Sequence, residues 1–145
     1  MSVRPDRAGR AAFGVFRPMP TRWHDNDVYG HVNNVVYYGW FDTAVNAWLI
    51  EQGLLDPVSD AIVGLVVETA CTYFESVSFP ETVELGLAVE RLGRSSVSYR
   101  IGVFRAGGAL AAAPGRFTHV YVDRITQTPI AIPDRARMAM EALVV

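Results

Sequence analysis

The sequence predicts an α+β domain in which a curved antiparallel sheet wraps around one long central helix. Three observations carry this. Val35 to Ile50 is apolar on almost every side, and such a helix belongs inside a protein rather than on its surface. The segments after it alternate apolar and polar residues with the period of half-buried strands. There is no internal repeat and no low-complexity linker, so these pieces belong to one α+β unit in the order β-α-β-β-β-β with a short helical tail.

Each element follows from local signals. Residues 1–12 read as a flexible N-terminal arm, and residues 13–145 as the single folded domain. Val15 to Trp23 is a short first strand whose Pro18 and Pro20 place it at a sheet edge or start. Asn33 or Asn34 caps the long helix, which runs to about Gln52 with Gly53 as its stop. Gly39, Asp42, Thr43 and Asn46 form its one narrow polar or small stripe. A buried unpaired Asp is costly, so Asp42 and Asn46 should find partners, a cavity or a subunit contact. Ile62 to Phe79 reads as one long β run. Val83, Leu85, Leu87 and Val89 alternate with Glu84, Gly86, Ala88 and Glu90, and Val97 to Val103 repeats the pattern after a turn at Leu92-Gly93-Arg94-Ser95. Gly107-Gly108 turns the chain into a last strand running to Arg124, and a tail helix spans Asp134 to about Leu143.

Bulk properties narrow the function classes. At 145 residues the chain can bury one core but not two. A net charge of −2 without a dense Lys/Arg patch gives no reason to expect nucleic acid. The single cysteine, Cys71, rules out an intrachain disulfide or a multi-cysteine zinc site, and its apolar setting reads as a buried inert thiol. The arginine-bearing stretch Ser2 to Arg10 is not followed by a signal-peptide core. Asp42 and Asn46 interrupt the most apolar segment, which is short of a bilayer span. No membrane association and a cytoplasmic location are therefore expected.

The chemistry concentrates in the segment leading into the helix. His24, Asp25, Asp27 and His31 fall within eight positions, with the turn residue Gly30 among them, and Asn33-Asn34 then opens the helix. A carboxylate beside a helix N-terminus is a base or nucleophile next to free backbone donors, which is what acyl transfer needs. Asp27 could instead be a turn residue bonding its own backbone. Asp25 reads as a loop-stabilising carboxylate, or as a like charge that raises the pKa of Asp27. The four side chains could be metal ligands by type, but no metal is expected. His119 lies between Phe117 and Tyr121 on a strand and reads as a core or interface histidine. The aromatics Tyr38, Trp40, Phe41, Trp48 and Phe74 read as core.

Asp25-Asn26-Asp27-Val28-Tyr29-Gly30-His31-Val32-Asn33-Asn34, followed by Tyr37, resembles the signature of the 4-hydroxybenzoyl-CoA thioesterase family of hot-dog acyl-CoA thioesterases. The His-Val-Asn-Asn portion is also similar to plant acyl-carrier-protein thioesterases. The element order and the ending Thr126 to Pro133 extend the resemblance from Phe16 to the C-terminus. The resemblance implies a hot-dog fold and hydrolysis of an acyl-CoA to a carboxylic acid and CoA. It implies Asp27 as nucleophile or general base, the backbone amide of Asn34 as oxyanion donor, and a role for His31 that is catalytic or structural. Tyr29 and Gly30 stand where the plant enzymes carry Asn and Gln. Substrate binding is implied at Tyr29 and Gly30, and CoA contacts at the turn residues Arg94, Ser95 and Ser96, with Arg94 on a phosphate. No cofactor is implied beyond CoA as part of the substrate, and the expected assembly is a homodimer or homotetramer with sites between subunits. Two other readings stand beside this one. A hot-dog hydratase or dehydratase would carry Gly-His-Phe-Pro where this chain has Gly30-His31-Val32-Asn33, and a non-catalytic acyl-CoA binding protein would not need Asp27.

Overall fold

The computed structural model describes residues 6–145. Strand β1 (Val15–Pro20) leads through a tight 3₁₀ turn into helix α1 (Asn34–Glu51). Strands β2 (Ile62–Cys71), β3 (Thr82–Leu92), β4 (Ser96–Phe104) and β5 (Ala113–Asp123) follow, and helix α2 (Asp134–Glu141) closes the chain. The strands form one antiparallel sheet in the order β1-β3-β4-β5-β2, so β1 and β2 are its edges.

The alternating pattern of β3 and β4 does what it predicts. Val83, Leu85, Leu87 and Val89 are buried on the concave face beside Val97, Tyr99, Ile101 and Val103. Helix α1 lies in that concavity and buries Tyr37, Trp40, Phe41, Ala44, Val45, Trp48 and Leu49, a stripe at three- and four-residue spacing. Gly115 lets the helix approach: any Cβ there would run into the Phe41 ring. The cap is as expected, with the Asn33 side chain accepting the Val35 N–H at 3.0 Å and Gly53 following at φ 71°.

Four details differ from the sequence reading. The first strand stops at Pro20, and Trp23 belongs to the 3₁₀ turn, since Pro20 ends the ladder with β3. Strand β2 ends at Cys71 rather than Phe79, and residues 72–81 form a loop that braces the segment before α1. The tail helix ends at Glu141, after which Leu143 packs into the core and Val144 bridges to Val89. Helix α1 is buried on one face only: the sheet covers one side, and Val35, Tyr38 and Ile50 are exposed on the rest.

The arm expected over residues 1–12 falls partly outside the described residues; residues 6–12 are held against the convex face. The Ala111 N–H donates to the Ala8 carbonyl at 3.0 Å, and Gly9 bridges Leu110. The next residue, Phe13, sits in a dimple made by cross-strand partners Gly86 and Gly102, where a Cβ would lie 2.7 and 2.8 Å from the ring. Phe13, Phe16 and Phe104 pack edge-on, and the Arg10 guanidinium lies 4.8 Å over Phe104. Among the described residues no helix is long and apolar enough to cross a membrane.

Candidate active site

The two acids of the loop before α1 do different things. Asp25 is 2% exposed and faces Arg22, accepting its backbone N–H at 2.8 Å and its guanidinium at 2.8 and 3.1 Å. Burial alone would raise its pKa, but the Arg22 hydrogen bonds and charge outweigh that and hold it below the usual carboxylate range. Its carbonyl accepts the Asn33 N–H at 2.9 Å, tying the loop to the start of the helix. Asp25 is therefore a structural carboxylate.

Asp27 is half-buried at the loop's turn. Its Oδ1 accepts the Tyr29 N–H at 2.9 Å, and its Oδ2 accepts the Asn33 side-chain amide at 3.3 Å. The turn closes through Gly30 N–H to the Asp27 carbonyl at 3.0 Å and Asp27 N–H to the His31 carbonyl at 2.9 Å. Gly30 sits at φ 80°, which is why a glycine is there. Asn33 thus caps the helix with its carbonyl oxygen and holds the carboxylate with its amide nitrogen.

The helix start supplies the donor. Asn33 takes up the N–H groups of Val35 and Val36, whereas the Asn34 N–H has no acceptor among the described residues. The Tyr73 hydroxyl donates to the Asn34 carbonyl at 2.9 Å. A cavity of about 160 Å³ opens beside it, walled by His31, Asn34, Tyr37, Tyr73 and Phe74 among others. Ser78 and Val77 brace the loop by bonds to Gly30 and Val32, at 2.9 and 2.7 Å.

Asp27, Tyr29, Gly30, His31 and Asn34 are thus gathered at one end of the sheet. Tyr29 is 82% exposed and His31 is exposed, so neither ring is committed to the core. Arg94, Ser95 and Ser96 are not part of this group. Their turn joins the far ends of β3 and β4, and the length of β3 separates it from Asp27 by about 30 Å. That turn is itself well held: Arg137 donates to the Gly93 and Arg94 carbonyls at 2.7 and 2.9 Å. A cleft of about 630 Å³ also lies at this far end, with Leu54, Asp60, Ile62, Tyr121 and Arg135 in its walls. His24, Asp25, Asp27 and His31 do not converge as ligands, and among the described residues no three His, Cys, Asp or Glu side chains do.

Sequence reasoning assigned Asn33 only to the cap and missed its hold on Asp27. It also missed Tyr73, which lies 39 positions from Asn34 and gives no local signal. Cys71 is partly buried with its thiol pushed up to about 11 by burial, which keeps it protonated and unreactive.

The family model of the thioesterase superfamily matches residues 29–112, more than half of the chain and all of the loop-to-helix segment after Val28. The chain belongs to the thioesterase superfamily. It is, by that membership, a thioester hydrolase with the hot-dog fold. The PA5185 protein of Pseudomonas aeruginosa is 52% identical, with a TM-score of 0.92 over 95% of this chain and 96% of that one. The PA2801 protein of the same organism, described as a thioesterase by inference, is 30% identical, with a TM-score of 0.80 over 86% and 95%. A DHNA-CoA thioesterase from Staphylococcus aureus shares the fold at 21% identity, with a TM-score of 0.77 over 88% and 87%. No curated protein matches this thioesterase at a significant level.

Proposed function

We propose that this thioesterase hydrolyses acyl-CoA to a free carboxylic acid and CoA, with Asp27 as the reacting carboxylate and the Asn34 N–H as the oxyanion donor. The observation that carries the reading is the free N–H on the first residue of α1, beside a carboxylate that Asn33 and the Tyr29 N–H hold in place. A thioester carbonyl set against that N–H gains negative charge as it is attacked, where the dipoles of α1 are most favourable to it. Asp27 then either takes a proton from the attacking water or attacks the carbonyl carbon itself, forming an anhydride that water opens. Both routes expel the CoA sulfur, which is protonated on leaving, and neither calls for a cofactor. His31, at the cavity wall, contacts the substrate or shapes the loop.

The working form we propose is a homodimer, alone or paired into a tetramer, located in the cytoplasm. Strand β2 exposes Leu65, Val66 and Val67 on an open edge, and an antiparallel two-fold pairing of β2 with its copy would reverse the ends of the two sheets. The Arg94-Ser95-Ser96 turn of one chain would then lie at the same end as the Asp27 loop of the other. Such a pairing would answer the separation within one chain and would bring Arg94 toward a CoA phosphate.

Thiol release from a panel of acyl-CoAs tests the reading. Asp27→Asn should lower turnover about a thousandfold with the fold intact by circular dichroism. Equal turnover in both proteins would move the chemistry off Asp27. Single turnover in isotopically labelled water separates the routes, since only the nucleophilic one leaves label in the Asp27 carboxylate.

A further inference from the structure

The segment docked on the convex face reaches the wall of the cavity beside Asn34. Arg7 makes three contacts of different kinds there. Its Nε donates to the Ala111 carbonyl at 3.0 Å, its Nη2 pairs with a Glu75 carboxylate oxygen, and its guanidinium carbon lies 5.3 Å over the Phe74 ring. Phe74 and Glu75 are two of the residues that wall the 160 Å³ cavity at the start of α1. The Arg7 and Glu75 side chains are 29% and 42% exposed, and an ion pair so open to water adds little to stability. Fixing a long side chain also costs rotamer entropy. Three partners on one such side chain therefore call for a reason other than stability.

The backbone beneath these contacts joins the segment to the cavity through two fully buried alanines, Ala111 and Ala112. Both polar groups of Ala111 face the segment: its N–H donates to the Ala8 carbonyl at 3.0 Å, and its carbonyl accepts from Arg7. The next carbonyl, that of Ala112, accepts the N–H groups of both Phe74 and Glu75, at 2.9 and 3.1 Å. In a close-packed interior neither alanine shifts without moving its neighbours. Ala8 itself sits at φ 61°, a left-handed conformation that is costly for a residue with a Cβ. Such strain persists only where the surrounding contacts over-determine it.

Beside Phe74 stands Tyr73, whose hydroxyl bond to the Asn34 carbonyl ties this wall to the first turn of α1. Its ring packs edge-on against Tyr37, with centroids 5.0 Å apart. Contacts therefore run without a gap from Arg7 through Phe74 and Tyr73 to the residue whose N–H is the proposed oxyanion donor. We infer that Arg7 is a positioning residue for hydrolysis: from the convex face it fixes the 72–76 wall, and through Tyr73 it keeps the Asn34 N–H aligned with the reacting carbonyl. Arg7 lies outside residues 29–112, where the superfamily model matches. The inference rests on the hydrolase reading above and extends its machinery to the far side of the sheet.

A chain of contacts becomes a coupling only when a measurement shows it, and a double-mutant cycle on thiol release supplies one. Arg7→Ala should lower kcat about tenfold and change KM by less than about twofold, because an alignment needed only in the transition state is what is lost. Tyr73→Phe should lower kcat by a similar factor. The two changes together should cost no more than the worse of them alone, since both break one path. Arg7→Lys keeps the charge facing Glu75 and should recover part of the loss. Glu75→Gln attacks the same pair from the cavity side and should lower kcat even if Arg7→Ala fails to fold. Amide exchange at Phe74 and Glu75 should quicken in Arg7→Ala, which reads the wall without reading activity. Native kcat in a folded but less stable Arg7→Ala would overturn the inference, as would a rise in KM alone. Losses that multiply when Arg7→Ala and Tyr73→Phe are combined overturn it as well. If Asp27→Asn abolishes hydrolysis while Arg7→Ala turns over like the native protein, only this inference falls; if the native protein releases no thiol from any acyl-CoA, the hydrolase reading falls and takes it along.

Discussion

The two edges of the sheet are built in opposite ways. Strand β1 is six residues long with Pro18 and Pro20 in it, and neither proline can donate a hydrogen bond to a neighbouring strand. Strand β2 is ten residues long, has no proline, and leaves Val67 60% exposed between Val66 and Glu68, at a bulge where its ladder with β5 shifts register. A blunted edge resists partners, whereas a long apolar one invites them. On the dimer proposed above, the chain closes one side of its sheet by itself and leaves the other for its copy.

That contrast can be broken at β2 first. Val66→Lys with Val67→Lys should turn the proposed dimer into a folded monomer and lower thiol release by at least about a hundredfold, because charges on an edge oppose strand addition. Sedimentation together with the activity assay reads both effects; full turnover in a monodisperse monomer would sink the shared site. The next largest effect is on stability and also belongs to the β2 side, since His119 pairs with Val66. Burial pushes its folded pKa down to about 4, below the unfolded value of about 6.5, so the unfolded chain binds the proton first. The neutral histidine's contribution is complete above about pH 6.5 and is lost as the pH falls toward about 4, by an amount on the order of 3 kcal/mol. Urea unfolding at about pH 7.5 and about pH 4.5 should show this loss, and His119→Phe should flatten that part of the slope. The smallest effect is expected at the other edge. Pro18→Val with Pro20→Val should leave turnover unchanged and add only a slow, concentration-dependent self-association visible by light scattering. Loss of the dimer in that variant would mean that the wrong edge has been assigned to the partner.

What could be read from the sequence was what local chemistry decides. Asn33 and Gly53 mark the ends of α1 by their own cap and stop preferences, and the alternation of β3 and β4 states which side chains face in. The loop acids were legible as a candidate site, though only the structure separates Asp25, bound by Arg22, from Asp27, held by Asn33. The illegible parts depend on residues far apart in the chain. Tyr73, Val77 and Phe79 continue the apolar run of β2, yet the backbone leaves the sheet at Cys71 to brace the loop around Gly30 and Val32. Apolarity all round α1 could not say that the sheet covers only one side. The docking of residues 6–12 hangs on Phe13 meeting two glycines on other strands, and the distance between Arg94 and Asp27 is a property of sheet topology.

Asn33 joins two jobs in one side chain, and the ordinary chemical ageing of asparagine would split them. Hydrolysis of its amide to a carboxylate keeps the oxygen that caps α1, since Asp caps as well as Asn. It removes the nitrogen that donates to Asp27 and puts a second negative charge in its place. The aged protein would keep its helix and its fold while losing its grip on the carboxylate proposed to react, so on that reading shelf life measured by folding would outlast shelf life measured by turnover.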